Sequence, residues 1–425
     1  MINKRKIKRF FHSINIFDIL ISNIMFVILY LILHNRKNIK RNLGNNVLII
    51  SDSFLGENCG AGDFNYNLFN TLKRYNSKYR FMFMTIKSKL TKNKYKYTGQ
   101  DAVLVDIGKW NFRSLNLLRS TFQNQNPELI IFEFPLAGFE RKIVPTLLPL
   151  FLKLTTDIQI IIHFHQFYEE LLNKFWFRLR CLMLLVAGDK VIFFREDQMK
   201  QLLVQKIFNI NQEVIYIGPT LTASSNDLTL NDAEDEYKIS EFTYKNYFMY
   251  FGQVRRYKGL PQLISGFIQA NLPDCYLIIA GFIKEVDYYN ELVNKYGLEN
   301  NDKIVFLGEL SSSNTIKLMQ NTFGVFLLFE DGASTYRTSL ISALENAPVV
   351  ITTKGKITSE KLQHKENVYF IEKLNSNSVE KAFLEIFNNN DLREQITYNS
   401  NILFHKHFSW KVISKKYISI INKCM

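Results

Sequence analysis

FGVFLLFEDGASTYRTSLISALENAPVVITT, residues 323–353, contains the patterns of a strand, a loop, a helix and a second strand, from which we predict the fold. Residues 323–329 form an unbroken apolar run of strand length, which is typical of a parallel sheet buried on both faces. The polar, glycine-containing segment 330–335 has the composition of a loop that joins a strand to a helix. A helix is predicted from Tyr336 to Glu345, and Pro348 opens a second apolar strand.

This strand, loop and helix together predict a site for an anion. Ligands bind at the carboxyl ends of the strands in open α/β sheets, and the free N–H groups at the start of a helix attract phosphates. Ser334, Thr335, Thr338 and Ser339 would add hydroxyl donors, and Arg337 would add a cation with a planar fork. We expect a pocket for a phosphate-bearing ligand, with an ordinary strand-to-helix cap as the structural alternative.

The same alternation of apolar strands and helices runs from Asn46 to the C-terminus, which predicts parallel, doubly wound sheets. It is interrupted over 221–245, a polar and acidic segment without apolar periodicity that we interpret as a linker. We therefore predict two α/β domains of similar size, 46–220 and 246–407, followed by a closing helix over 408–425.

The composition is that of a globular protein from a reducing compartment. Of the 425 residues, 47% are hydrophobic and 36 are Phe, which is enough to fill two cores. The four cysteines are scattered and have no metal-ligand spacing, which argues against a disulfide framework or a zinc site. The net charge of +14 is concentrated in residues 1–45, and no nucleic-acid motif is present. We therefore expect no nucleic-acid partner, and steep salt-dependent binding to DNA or RNA would contradict this.

Residues 1–45 are predicted to be a basic and apolar membrane-associating segment. An apolar stretch, Ile14–Leu33, lies between two clusters of Lys and Arg. It has about the length of a bilayer span, but Asn15, Asp18 and Ser22 give its first half a polar face. Three interpretations remain open: a spanning helix, a helix in the membrane interface, and a helix packed on the globular body. The reducing context favours a peripheral anchor, residues 1–41, on the cytoplasmic face of the cell membrane. A second basic cluster, Lys87–Lys96, is interpreted as a solvated face.

Several motifs resemble one family of enzymes. They are YFGQVRRYKGLPQLISGF (250–267), LIIAGF (277–282), VFLGEL (305–310), the DGAS loop (331–334) and the closing FSW helix. Together they resemble the GT-B glycosyltransferases, and most closely glycosyltransferase family four, retaining enzymes that use nucleotide sugars. The resemblance covers Asn46 to the C-terminus. It implies two Rossmann-like doubly wound domains facing a central cleft, with the acceptor bound by 46–220 and the donor by 246–407.

The resemblance also implies the donor-binding residues. Lys258 matches the family's diphosphate-binding lysine, but the family's arginine is Gln253 here, so Arg255 or Arg256 would supply that charge. The first of two family glutamates corresponds to Glu330 or Asp331. The second falls on Ile341 or Ser342, neither of which is a carboxylate, and Glu345 lies one turn away. The full donor-binding set implied is Gly62, Gly252, Gln253, Arg256, Lys258, Asp331, Gly332, Ser334, Arg337, Ser339, Leu340 and Ser342.

On the acceptor side, His165 matches a histidine that the family keeps near the sugar, with His163 as the alternative. Glu133, Gly60 and Asp63 are the other acceptor-side residues. The catalytic set implied is His165, Lys258 and Glu330. The resemblance implies transfer with retention, without a metal or another cofactor, from a nucleotide sugar to a glycan or a lipid-linked glycan.

Two alternatives keep the same fold but change the activity. The missing second glutamate and Gln253 are consistent with a GT-B scaffold that binds nucleotides with weak or no catalysis. A nucleotide-sugar epimerase would differ in that the sugar stays on the nucleotide.

Overall fold

The computed structural model describes 245–425 continuously and the earlier chain in parts. Those parts are 20–21, 23–25, 27, 45–51, 60–76, 78–86, 102–105, 118, 122, 124–134, 143–165, 167, 172–208, 210–221, 236–237 and 239–242. The chain forms two compact units. The first unit runs to Tyr216 and also includes Ile413–Met425 at the end of the chain. The second unit comprises Ile217–Val412.

The first unit is built on a seven-stranded parallel sheet with the strand order β3-β2-β1-β4-β5-β6-β7. Its strands are β1 Asn46–Ile50, β2 Arg80–Ile86, β3 Ala102–Val105, β4 Leu129–Phe134, β5 Gln159–Phe164, β6 Lys190–Phe193 and β7 Gln212–Val214. Its helices include α1 Gly60–Tyr75, α2 Val144–Thr155, α3 Phe175–Ala187 and α4 Leu203–Ile207. The strand order reverses between β1 and β4, which is where open α/β sheets bind ligands.

The second unit has a six-stranded sheet with the order β10-β9-β8-β11-β12-β13. Its strands are β8 Asn246–Phe251, β9 Cys275–Ala280, β10 Ile304–Gly308, β11 Val325–Leu327, β12 Val350–Thr353 and β13 Tyr369–Ile371. Its helices are α5 Leu260–Ala270, α6 Val286–Tyr296, α7 Ser312–Asn321, α8 Thr338–Asn346, α9 Ser376–Asn388 and α10 Asn390–His407. The last helix, α11 Trp410–Cys424, begins in this unit, and its residues from Ile413 on belong to the first.

The predicted alternation of strands and helices is confirmed in both units. Parallel strands need apolar side chains on both faces, and β1, β4 and β5 are buried almost along their whole length. Within residues 323–353, the first strand and the helix are shorter than predicted. β11 covers only Val325–Leu327, and α8 begins at Thr338 because Arg337 has an extended backbone. The sequence SDSFLGENCGAGD (51–63) predicts a glycine-bearing loop, but its last four residues, 60–63, form the first turn of α1.

The predicted membrane-associating segment lies mostly outside the described residues. Of Ile14–Leu33 the structure describes Leu20, Ile21, Asn23–Met25 and Val27, all helical. Among the described residues, no helix is both long enough and apolar enough to cross a bilayer. Lys87–Lys96 also lies outside the described residues, and the predicted linker and central cleft stay predictions.

Candidate functional site

The loop between β11 and α8 is held in one conformation by the segment that follows β12. Gly332 has φ +101°, and a Cβ there would lie 2.7 Å from the backbone nitrogen of Gly355. The backbone N–H of Ala333 donates to the carbonyl of Thr353 (3.1 Å), and the N–H of Ser359 donates to Ala333 (2.9 Å). Glycine is needed here because of both the positive φ and the close approach. The polar side chains of the loop therefore project from a fixed backbone.

Lys258 and Arg337 both lie against the ring of Phe329. The Lys258 ammonium is 4.8 Å and the Arg337 guanidinium carbon 4.2 Å from the centre of that ring. The short helical turn before α5 brings Lys258 there, because Gly259 (φ +64°) packs directly on Leu328. Lys258 and Arg337, both implied by the resemblance as donor-binding residues, thus lie in one cluster, and their role stays a prediction.

This cluster carries more positive than negative charge. Burial, together with the nearby charges of Arg337 and Arg255, lowers the pKa of Lys258 to about 8, although Asp331 acts in the opposite direction. Asp331 forms an ion pair with Arg337. In the described part of the chain, Ser334 Oγ, Arg337 Nε and Arg255 Nε are buried without a hydrogen-bond partner. Buried donors of this kind normally have an acceptor, so the cluster suits an anion.

Other residues predicted to bind the donor are placed differently. The exposed Arg256 donates to the carboxylate of Glu291 (2.8 and 2.6 Å), so Arg255 is the arginine near Lys258. Ser342 is fully buried, and its Oγ accepts the backbone N–H groups of Thr220 (3.1 Å) and Leu221 (3.2 Å). Leu340 is fully buried as well. Both side chains are therefore buried away from solvent, and their part in donor binding stays a prediction.

The remaining predicted residues of the second unit lie along the carboxyl edge of its sheet or beside it. Gly252 has φ +134°, and its N–H donates to Ala280 (3.1 Å). Gln253 follows it, with its carbonyl accepting from the Tyr250 hydroxyl (2.9 Å). Glu330 is exposed, and Ser339 is partly exposed in the first turn of α8. Their roles stay predictions.

In the first unit, a buried carboxylate joins the predicted histidine to two further side chains. Glu133 at the end of β4 pairs in register with His163 of β5. One oxygen of Glu133, Oε2, lies 2.8 Å from His163 Nδ1 and 2.7 Å from His165 Nε2. Because an ionised carboxylate only accepts, the hydrogen bond to Glu133 requires a proton on His165 Nε2. The Tyr417 hydroxyl lies 2.7 Å from His163 Nδ1. We call these four residues the Glu133 network.

The charges of the Glu133 network follow from burial and hydrogen bonding. Burial alone would raise the pKa of Glu133, but interactions with His163 and His165 outweigh it and lower the pKa to about 2. Burial lowers the pKa of His163, and burial beside Glu133 raises the pKa of Tyr417. An anionic Glu133 therefore fixes the Nε2–H tautomer of His165 and directs Nδ1 away from the carboxylate.

Glu133, His163 and His165 also have the chemistry of metal ligands. One ligand atom of each lies within 4.8 Å of the others. His165 Nε2 forms a hydrogen bond with Glu133, and its proton would have to leave before a cation could bind there. We therefore describe the group as a hydrogen-bond network.

The predicted residues Gly60, Gly62 and Asp63 lie in the first turn of α1. Burial raises the pKa of Asp63 to about 6. The next residue, Phe64, packs edge-on against the rings of both His163 and His165, with centroids 5.7 Å apart in each case. The start of α1 thus lies beside the Glu133 network.

Comparison with known proteins agrees with this fold. Residues 232–402 match the family model "Glycosyl transferases group 1". No curated protein sequence matches the chain. The chain is similar in structure to HepE of Anabaena in complex with UDP and glucose, with a TM-score of 0.64, 16% identity, and 89% of this chain and 99% of that chain covered.

Two further solved structures are similar to the chain. A glycosyltransferase of Rickettsia africae gives a TM-score of 0.67 at 16% identity, covering 90% of this chain and 99% of that one. Sucrose-phosphate synthase of Thermosynechococcus elongatus gives 0.66 at 13% identity, covering 89% and 98%. The chain has the GT-B fold, and the match of its second unit to glycosyl transferases group 1 supports a glycosyltransferase.

Proposed function

We propose that the protein transfers a sugar from a nucleotide-sugar donor to a glycan or lipid-linked glycan acceptor, with retention of configuration and without a metal cofactor. The observation that carries the proposal is the cluster around Phe329. There Lys258 and Arg337 face one ring, and Ser334 Oγ and Arg337 Nε are buried without partners among the described residues. A diphosphate supplies the acceptors and the negative charge that this cluster lacks.

The donor diphosphate would bind against the start of α8. Ser334 and the N–H groups of the first turn would donate to its oxygens, and Lys258 and Arg337 would balance its charge. As the sugar leaves, negative charge grows on the phosphate oxygen, and fixed cations in a partly buried site stabilise that charge. Similar structures contain UDP or UDP-glucose, which supports a nucleotide-sugar donor here.

The Glu133 network would act on the acceptor side. With Nε2–H held by Glu133, His165 presents Nδ1 as the nitrogen available to a sugar hydroxyl. Its side chain is 7% exposed, whereas those of Glu133 and His163 are fully buried. His165 is therefore the member that reaches a ligand, and Glu133 is a positioning residue.

The acceptor and the location follow from the N-terminal segment. Its two basic clusters suit anionic lipid headgroups, so we propose a peripheral enzyme on the cytoplasmic face of the cell membrane that is attached through residues 1–41. WaaG, a glycosyltransferase involved in lipopolysaccharide biosynthesis, is similar in structure at 11% identity with a TM-score of 0.58. This likeness is consistent with an acceptor of the lipid-linked or polysaccharide class.

The experiment is a panel of nucleotide sugars tested first by thermal shift and then by product analysis. A donor should raise the melting temperature by mass action, and Lys258→Met should abolish most of the rise. NMR of the product reports the anomeric configuration, and turnover in EDTA reports metal dependence. Inversion at the anomeric carbon, or loss of turnover in EDTA, would contradict the corresponding part of the proposal. A product whose sugar stays on the nucleotide would indicate an epimerase.

A nucleotide-binding scaffold with little catalysis is the second candidate. One observation favours it: Ser342, at the position of the family's second glutamate, uses its hydroxyl to hold the backbone at Thr220 and Leu221. Such a protein would give the thermal shift but no transfer to any acceptor extract.

A further inference from the structure

Three helical segments of the first unit lie side by side. Arg180 of α3 donates from Nε to Thr146 Oγ1 of α2 at 2.8 Å. Arg178 of α3 donates from Nη2 to the side-chain oxygen of Asn23 at 3.3 Å. Through these contacts α3 joins α2 on one side and the helical segment around Asn23 on the other.

These segments expose large apolar side chains. On α2, Phe151 is 46% exposed, and Ile143, just before the helix, is 48% exposed. Leu154 is exposed too, and the spacing of the three places them on one side of α2. On α3, Trp176 is 65% exposed. A cluster of this kind marks a binding surface more often than isolated apolar residues do.

The helical segment around Asn23 has the polarity opposite to that of a solvated surface helix. Asn23 and Val27, one turn apart, face the body of the unit: Asn23 meets Arg178, and Val27 packs against the core. Among the residues of this segment that the structure describes, the exposed side chains are apolar: Leu20, Ile21, Ile24 and Met25. In water the exposed face would be polar, so this arrangement indicates an apolar or interfacial environment on the outer side.

The charge near this surface favours a negatively charged partner. Neither α2 nor α3 contains an acidic residue. Lys153 forms an ion pair with Asp189 and Arg178 is buried beside Asn23, so the positive charge near this surface comes from Arg180 and from the N-terminal segment. In the sequence, Lys and Arg clusters stand on both sides of Ile14–Leu33. A second copy of the chain would bring like charges together, whereas an anionic bilayer offers opposite charge and an apolar interior. An exposed Trp is also typical of membrane interfaces.

We propose that α2, α3 and the described helical residues between Leu20 and Val27 form one face by which the first unit inserts into the interface of an anionic lipid bilayer. This face deepens the membrane attachment proposed above, which rested on residues 1–41 alone. It places α2 and α3, which belong to the folded unit, in contact with the lipid. The unit that carries His165 would then lie on the membrane surface, where a lipid-linked acceptor is present.

The test is flotation of the full-length protein with vesicles of phosphatidylcholine, with and without phosphatidylglycerol. The wild type should float with the vesicles that contain phosphatidylglycerol. Phe151→Glu combined with Trp176→Glu should reduce the bound fraction about tenfold or more, because two exposed apolar side chains that would insert into the bilayer are lost. The matched control is Tyr398→Glu combined with Ile402→Glu on α10 of the second unit, where both side chains are exposed. The control should float like the wild type.

A second measurement reports insertion directly. Brominated lipids should quench wild-type tryptophan fluorescence, and Trp176→Phe should remove most of the quenching while leaving flotation nearly unchanged. Flotation of the Phe151 and Trp176 glutamate variant at the wild-type level would overturn the proposal, because the basic clusters would then suffice. A second result would also overturn it: the wild type forms a dimer, the glutamate variant is a monomer, and neither protein floats with vesicles. The face would then bind a second copy of the chain.

The thermal shift with UDP separates this inference from the proposed function. UDP should raise the melting temperature of the wild type and of both glutamate variants equally, because the cluster around Phe329 is unchanged. No shift in any of them would count against the proposed donor site and leave the flotation result standing. If the variant and its control lost flotation equally, the membrane face would be contradicted, and the proposed donor site would be unaffected.

Discussion

Replacing Lys258 by Met should stabilise the ligand-free protein and weaken UDP binding at the same time. Burial and the charge of Arg337 lower the pKa of Lys258 from an ordinary 10.5 to about 8. A folded-state pKa below the unfolded value means that the folded protein bears the cost of the charge at every pH below 8. That cost is about 3 kcal/mol, and it is relieved as the pH rises from 8 to 10.5. Met removes the charge and keeps the chain length, so we expect a gain of about 1–3 kcal/mol at pH 7.

The loss in UDP affinity follows from the same charge. A hydrogen bond to a charged group contributes about 1.5–3 kcal/mol, so Lys258→Met should raise the Kd for UDP roughly 10- to 100-fold. In the wild type, a bound diphosphate favours the charged lysine and raises its pKa above 8. UDP binding should therefore take up a proton at pH 8 to 9 and weaken as the pH rises further. Lys258→Met should show neither effect.

Urea denaturation at pH 7 and at pH 9.5 measures the first effect, and calorimetry in buffers of different ionisation heat measures the second. Lys295→Met is the matched control, because Lys295 lies on α6 in the same unit and is exposed. It should change neither stability nor proton uptake. The reasoning would be refuted if the Lys258→Met protein were less stable than the wild type and bound UDP with unchanged affinity. The lysine would then stabilise the fold rather than bind the ligand.

Three further changes test the sites separately. Glu133→Gln should lower the free energy of unfolding by about 3 kcal/mol at neutral pH, because the folded carboxyl has a pKa of about 2 against an ordinary 4.5. Wild-type stability in urea should accordingly decrease as the pH falls from 4.5 towards 2, and the variant should lose this dependence. Gly332→Ala, at φ +101° against a neighbouring backbone, should lower the melting temperature more than Gly297→Ala, at φ +60° with open space around it. Ser342→Ala should cost about 1–3 kcal/mol in urea, since two backbone N–H groups lose their acceptor, and should leave the calorimetric Kd for UDP unchanged. A weaker Kd would instead restore the prediction that this serine binds the donor.

The sequence predicts what depends on local pattern. Apolar runs such as 323–329 identified the buried strands, because both faces of a parallel sheet need apolar side chains. The family resemblance, rather than local pattern, implies that Lys258 and Arg337 both bind the donor, and the structure brings both side chains to the ring of Phe329. The composition of 51–63 predicts a loop, although Gly60 and Gly62 lie in the first turn of α1. Glycine composition does not separate a loop from the start of a helix.

Contacts between distant parts of the chain could not be predicted. Tyr417 lies 254 positions from His163, and no local pattern connects a residue of the closing helix with a strand of the first unit. The choice between Arg255 and Arg256 was equally open. Neighbouring residues in an irregular turn point in different directions, and only the structure assigns Arg256 to Glu291 on α6. Sequence periodicity identifies the faces of an element but not the partners that those faces meet.

The absence of the family's second glutamate bears on the sugar more than on the phosphate. A carboxylate at the position of Ser342 would accept hydrogen bonds from hydroxyl groups, whereas a diphosphate needs donors and cations. The donors and cations of the cluster around Phe329 come from Lys258, Ser334 and Arg337, and none of these depends on that glutamate. An active enzyme and an inactive scaffold should therefore bind UDP with similar affinity. They should differ in how much the sugar group adds to that affinity. If the sugar is recognised, the true UDP-sugar should bind more tightly than UDP; a scaffold should bind every UDP-sugar no better than UDP itself.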